Sequence, residues 1–470
     1  MLDAHPRPNA TRSLAVLGLA GLAFSLAQTM IIPALGDMKT RLGTDEVGIA
    51  WTLTAYLLAA AVATPVFGRL GDMFGKRRML VASIGFFAVG CVVSALGDTL
   101  EVVVAGRVLQ GIGGGIFPLC FGIIRDEFPP ERVPSSIGLI SAILGIGGGV
   151  GLVLGGVLAD AISYHILFWV GAGMAVVAGV AAQLVIPESP VRTPGRVDVR
   201  GALILAVGLV LPLYAIGQAN VWGWGSGRTL GLIAAGLLVL AAWVRVELRT
   251  AEPLVDMRLL AEPAVAMTNL ATLFVGFGMF GSFLLIPQLA EAPEATGYGF
   301  ALTATGAGLL MLPGALAMLG AGPLSGQLST RVSPRFPLAL GAGITAVGLV
   351  LLGAAHGTEL LVLLGALIMS IGVGFAFAAM PNLIVEAVPR ERTGEATGFN
   401  QLVRSVGSSL GSQISAAILA GSALAAGPTD AGYTAAFLTS AAVAVAAGIA
   451  AAMIPRSRHG RQPEPAPAGA

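Results

Sequence analysis

Charge is what this sequence lacks most. Asp, Glu, Lys and Arg make up 11% of its 470 residues, against roughly 25% in a soluble domain. Most of the chain therefore never meets water. Histidine is scarce too: His5, His165, His356 and His459 are scattered at no ligand spacing. The two cysteines, Cys91 and Cys120, sit inside apolar runs. Neither a disulfide framework nor a thiolate metal cluster follows from them, and no metal or cofactor is expected. The net charge of +1 gives no reason to expect nucleic acid as a partner. No cluster of nucleophile and base falls within the apolar runs, so a membrane enzyme is not expected either.

What is present is apolar. Hydrophobic residues reach 56% and the mean hydropathy is +0.86. Glycine contributes 66 residues without a Gly-X-Y period, which excludes collagen. Small residues instead let membrane helices approach closely. A bilayer core takes about 20 apolar helical residues to cross. Fourteen runs of that order can be read, from 14–35 to 431–454. The pair 201–219 and 229–248 is the weakest, since it also reads as one interrupted segment. The first run exceeds the ~7–15 residues of a signal-peptide apolar region, so it is expected to be a permanent span. The fold class is thus an all-α membrane protein.

Basic residues test the count, because cytoplasmic loops carry the Lys and Arg. With the N-terminus inside, 21 of the 26 fall in inside segments. Lys39, Arg41 and Arg228 fall outside, and Arg107 and Arg404 lie within spans. An odd number of spans would put the second half's basic loops outside. The asymmetry therefore supports fourteen spans with both termini in the cytoplasm of a cell whose inner (plasma) membrane holds the chain. The expected organisation is a cytoplasmic N-terminus (1–13), a six-helix bundle (14–186), linkers with a two-helix insert (187–263), a second six-helix bundle (264–454) and a disordered tail (455–470).

The halves repeat. At an offset of 260 residues, Ile124 aligns with Ile384, Asp126 with Glu386, Pro129 with Pro389 and Gly138 with Gly398. Glu131 and Arg132 align with Glu391 and Arg392, and Gly147 and Gly151 with Gly407 and Gly411. A weaker match pairs residues 68–78 with 326–335. Two related bundles with a site between them are a transporter architecture. A receptor or membrane enzyme has no general need of that symmetry.

The most specific motif is the loop from Gly68 through Gly71, Asp72, Gly75 and Lys76 to Arg77 and Arg78. Its glycines permit a tight turn between two spans. Asp72, among four cations, can accept charge-assisted hydrogen bonds and latch helix ends in one conformation. At these residues the chain resembles the major facilitator superfamily, whose signature here is Gly-x-Leu-x-Asp-x-x-Gly-Arg/Lys-Arg/Lys. The stretch Arg107-Val-Leu-Gln110-Gly111 is similar to the family's fourth-helix motif. Gly147, Gly151, Gly155 and Gly156 are similar to the glycines of its antiporter motif, although Leu152 stands where relatives carry proline. With fourteen spans, the chain is closest to the fourteen-helix drug:proton antiporters. The resemblance implies export of drugs or secondary metabolites by alternating access, driven by the proton gradient. An uptake permease or facilitator, and a transporter-like sensor without flux, are the alternatives.

Arg107 lies some seven residues into its span and Arg404 some ten. An intramembrane cation costs about 2.5–3.5 kcal/mol on insertion scales, so such residues normally face a cavity or a partner. No carboxylate is placed at mid-membrane, and two cations without an acid favour a neutral or anionic substrate. Gln28, Gln110, Asn400 and Gln401 are candidate groups for orienting it, each equally able to serve as interhelical glue. The span-5 glycines give that helix a face able to press on a neighbour and slide. The expected partners are a small organic substrate and the lipid bilayer, and a monomer is expected.

Overall fold

The computed structural model describes residues 10–44, 46–189, 198–251, 253–422 and 428–455. The first nine residues, 190–197 of the first linker and the tail from 456 lie outside the described residues. Among the described residues there are fourteen long helices and no strand. They are α1 (Ala10–Thr29), α2 (Glu46–Phe74), α3 (Lys76–Ala95), α4 (Leu100–Glu127), α5 (Val133–Ala161), α6 (His165–Val185), α7 (Val199–Trp222) and α8 (Gly227–Glu247). After a short helix at Met257–Leu260 come α9 (Pro263–Glu291), α10 (Ala304–Arg331), α11 (Arg335–Ala354), α12 (Glu359–Ala387), α13 (Thr393–Ser422) and α14 (Asp430–Ala452).

Long apolar runs become helices because lipid cannot satisfy an open backbone. Their starts are marked chemically: the side chains of Asp198, Ser226, Thr303, Thr358 and Thr429 each accept a backbone N–H from their helix's first turn, as N-caps do. Thirteen of the fourteen are apolar enough to count as spans by hydropathy. The exception is α13, whose 30 residues give about 45 Å at 1.5 Å per residue. It is long enough to cross, but its Ser, Gln, Asn and Arg residues lower its hydropathy, for a reason the site supplies. The first span starts earlier than 14–35: it runs Ala10–Ala34, with α1 to Thr29 continued by a single tight turn at Ile32–Ala34, and a short helix, Leu35–Arg41, follows.

Helices α1–α6 and α9–α14 each enclose their own apolar core. The packing pairs repeat between halves: α1–α5 with α9–α13, α2–α4 with α10–α12, α3–α6 with α11–α14, and α1–α6 with α9–α14. The halves meet along two seams, α5 against α10 and α2 against α13, which exchange under the same equivalence. The inserted pair α7–α8 packs mainly on itself and touches the α2–α13 seam. Tyr214 of α7 meets Trp51 with ring centroids 5.2 Å apart, and Trp243 of α8 stacks on Phe399 at 6.5 Å.

Candidate functional site

The site begins at the end of the molecule that carries the basic loops. There α2 and α13 touch through backbone: a Cβ on Gly68 would lie 2.2 Å from the carbonyl oxygen of Gly394. The repeat reproduces this in the other seam, where a Cβ on Gly326 would lie 2.5 Å from the carbonyl oxygen of Pro134. One turn further in, Gly398 presses on Pro65, and its repeat mate Gly138 presses on Gly322 and Pro323.

Among the described residues, the charged latch that stands out is at the α2–α13 seam. The buried carboxylate of Asp72 accepts the backbone N–H groups of Gly394 and Glu395 at 3.3 and 3.0 Å. Lys76 Nζ, also buried, lies 3.4 Å from Asp72 Oδ1 and 2.7 Å from Asp126 Oδ2. The Asp72 latch is thus anchored to α4. Arg125 of α4 crosses between halves as well, donating to the carbonyl oxygens of Val388 and Pro389 and to Thr393 Oγ1. Arg69 Nη1 lies 3.6 Å from Glu395 Oε2. Beside the other seam, Asn382 of α12 donates to the carbonyl oxygen of Pro134 at 3.1 Å.

The remaining loop residues shape the turn. Gly75 takes φ 108°, and a Cβ there would meet the Glu188 carboxylate at 2.6 Å. That carboxylate accepts the backbone N–H of Arg77 and faces the guanidinium groups of Arg77 and Arg78 at 3.7 and 3.6 Å. Gly71 leaves room for Leu119. After α8, the linker joins the same network: the backbone N–H of Asp256 donates to Glu395, and its carboxylate accepts from Arg392. Burial pushes the Asp256 carboxyl up, but hydrogen bonds from Arg392 and from the Arg258 backbone outweigh it and hold the group below its ordinary value.

Above this closed end lies a cavity of about 190 Å³ between the halves. Ser25, Gln28 and Thr29 of α1 and Thr54, Tyr56 and Thr64 of α2 line one side. Met279 and Phe283 of α9 and Phe377 of α12 line the other. Leu213 and Gly217 of the inserted α7 close the flank. Helix α13 supplies Gln401, Arg404, Ser405, Ser408, Ser412 and Gln413, which recur every three to four residues as one helical face. That polar face is why α13 is the least apolar span. The lining extends from mid-height toward the end opposite the basic loops.

The candidate polar residues divide between cavity and packing. Gln28, Gln401 and Arg404 line the cavity. Asn400 instead donates to Asn269 Oδ1 and Thr272 Oγ1, both at 2.8 Å, tying α13 to α9. Gln110 is buried between α3 and α4, donating to the Gly90 carbonyl and Ser94 Oγ and accepting from Arg107. Arg107 points into the first bundle and away from lipid, with no exposed surface. Its Nε donates to the Thr52 carbonyl at 2.8 Å and its Nη1 to the Ala27 carbonyl at 3.2 Å. The Tyr56 ring lies over it at 4.2 Å, so Tyr56, rather than the guanidinium, forms the cavity wall. The expected groups are therefore brought to one region but not to one surface.

The helix-5 glycines mostly face α1. Cβ atoms on Gly147, Gly151 and Gly155 would strike Ser25, Thr29 and Met30 at 1.9–2.1 Å, whereas one on Gly156 would make ordinary van der Waals contact with Thr305 and Pro33. Their mates Gly407 and Gly411 press equally on Leu273 and Phe277 of α9. Toward the other half, Gly145 and Gly149 press on Met318 and Ala315. The side chain of Leu152 lies outside the description. Sequence reading missed Glu395, Asp126, Arg125 and Asp256 as latch members. An acid in the first turn of a span was the available signal for Glu395.

Comparison with known proteins agrees with this architecture. The chain is 28% identical over 439 residues to the tetracenomycin C resistance and export protein of Streptomyces glaucescens, covering 89% of this chain and 80% of that one. It is 27% identical over 411 residues to the multidrug resistance protein Stp of Mycobacterium tuberculosis, covering 87% and 75%. It is 26% identical over 416 residues to multidrug resistance protein 3 of Bacillus subtilis, covering 87% and 80%. The structure superposes on the human organic anion transporter MFSD10 with a TM-score of 0.65, covering 95% of this chain and 100% of that one. At 16% identity this shows a shared fold alone. The sequence profile of the Major Facilitator Superfamily matches residues 17–412 and 270–470, and this multi-pass membrane protein belongs to that superfamily.

Proposed function

We propose that the chain exports drugs or secondary metabolites across the plasma membrane by alternating access, exchanging them for protons, with both termini in the cytoplasm. The observation that carries this reading is the one-sided cavity. Its wall extends toward the end poor in basic residues, while glycine contacts and the Asp72 latch close the basic end. The positive-inside rule makes the closed end cytoplasmic, so this conformation corresponds to the stage at which cargo leaves. The three relatives, named for drug resistance or export, support the direction and the class of cargo. Among the described residues, the cavity lining includes one cation and no acid, which favours neutral and anionic substrates. The proton gradient is the only energy source proposed, with no cofactor.

Everted membrane vesicles test this. With the lumen acidified, they are expected to accumulate neutral and anionic aromatic drugs, and an uncoupler is expected to abolish the accumulation. Accumulation that survives the uncoupler removes proton coupling. Loss of preloaded drug against its gradient under the same pH difference would establish uptake. Absence of any movement would leave a sensor.

A further inference from the structure

The two intramembrane cations are treated very differently. Arg107 is held by two carbonyl oxygens, the Gln110 amide and the Tyr56 ring. Arg404 has the Phe377 ring at 4.6 Å from Cζ, and no described residue accepts a hydrogen bond from its guanidinium or pairs it with a carboxylate. A guanidinium stacked on an aromatic face keeps its N–H edge free for in-plane acceptors. That edge borders the cavity.

The neighbouring serines leave the task of donating to others. Ser405 and Ser408 spend their hydroxyl protons on the carbonyls of Gln401 and Arg404, and Ser412 spends its own on Ser409. The uncommitted donors of the lining include Arg404 and the amides of Gln28, Gln401 and Gln413. Around them stand Phe24, Tyr56, Phe283 and Met279, which suit a flat apolar body.

We propose that Arg404 is the anion-recognition residue of the cavity, binding the carboxylate, sulfonate or ionised phenol of a planar aromatic substrate through the free edge that Phe377 presents. This deepens the export reading and rests on it. A cation buried without a partner costs more than it returns, so a guanidinium kept unpaired in a membrane cavity is a site awaiting an anion. A charge-assisted, bidentate contact is the strong form of such a bond.

Equilibrium binding of labelled 2-naphthoate and 2-naphthamide tests the proposal, since the two share a shape and differ in charge. Wild-type protein in nanodiscs is expected to prefer the carboxylate by about tenfold or more, the range of a charged hydrogen bond. R404Q should abolish the preference. R404K should keep part of it, because lysine supplies charge without the planar fork or the stack. Size-exclusion profiles and melting curves establish that each variant is folded. A wild type without preference for the carboxylate, or a preference that survives R404Q, overturns the assignment. The vesicle measurement is independent of it: drug accumulation with an unchanged ratio in R404Q removes the anion site and keeps the exporter. A lost ratio without accumulation by the wild type does the reverse.

Discussion

At the scale of single residues, Asp72 and Arg107 show how different two buried charges of one motif family can be. Arg107 is held inside one bundle, through its Nε and Nη1, by groups that do not separate during a movement of the halves. Asp72 is satisfied across the halves by Gly394 and Glu395. Its bonds must break whenever the basic end opens. Charged hydrogen bonds contribute about 1.5–3 kcal/mol each, enough to set the balance between two states a few kcal/mol apart. In D72N the closed basic end should lose population. A reporter cysteine at cavity-lining Ser409 would show this against a silent background, because Cys91 and Cys120 are both fully buried. Its labelling by an impermeant reagent from the outer face is expected to slow severalfold in D72N. An unchanged rate would mean the latch has no part in the equilibrium. The glycine-acid-basic motif was legible in the sequence because its spacing is local. The partners of Arg107 were not, since two of them are backbone carbonyls that every residue carries.

At the scale of elements, the repeat was the most legible feature. The offset of 260 aligned Gly138 with Gly398 and Gly147 with Gly407, and in the structure the first pair makes equivalent contacts in the two seams and the second pair equivalent contacts inside the two bundles. A helix pressed on a neighbour's backbone tolerates only glycine there, so the pattern survives in sequence. The inserted α7–α8 pair has no repeat mate, and its attachment could not be read. Its linker reaches the latch through Asp256, bound to both Arg392 and Glu395. The Asp256 carboxyl sits below its ordinary value. A depressed folded-state value means the bond stabilises fully above the unfolded value, about 4, and is lost as pH falls through the folded one. D256N is therefore expected to lower melting stability by an amount that is constant from pH 8 to about pH 5 and shrinks below about pH 4. A half-buried pair near the surface contributes about 0–1 kcal/mol. A D256N deficit that grew on acidification would contradict the assignment of the bond.

At the scale of the whole molecule, the two seams are related by the repeat but unequal in chemistry. Both close the basic end through glycine contacts, yet Asp72 and Arg125 strengthen the α2–α13 side. The position equivalent to Asp72 is Thr330, whose hydroxyl donates to the Gln327 carbonyl of its own helix. The asymmetry implies that opening the basic end is governed at α2–α13, with α5–α10 following as a smooth bearing. Holding that seam shut should arrest the cycle with the cavity facing the far end. Arg125 and Thr393 already touch across it at 2.6 Å, so cysteines at both positions can be joined by a short reducible bis-thiosulfonate. Cross-linking R125C/T393C is expected to stop drug flux in vesicles and reduction to restore it. Each single-cysteine variant given the same reagent should keep the flux it had before treatment. Full flux through the cross-linked protein would mean the halves need not part at this end, and a cycle of alternating access could not be operating.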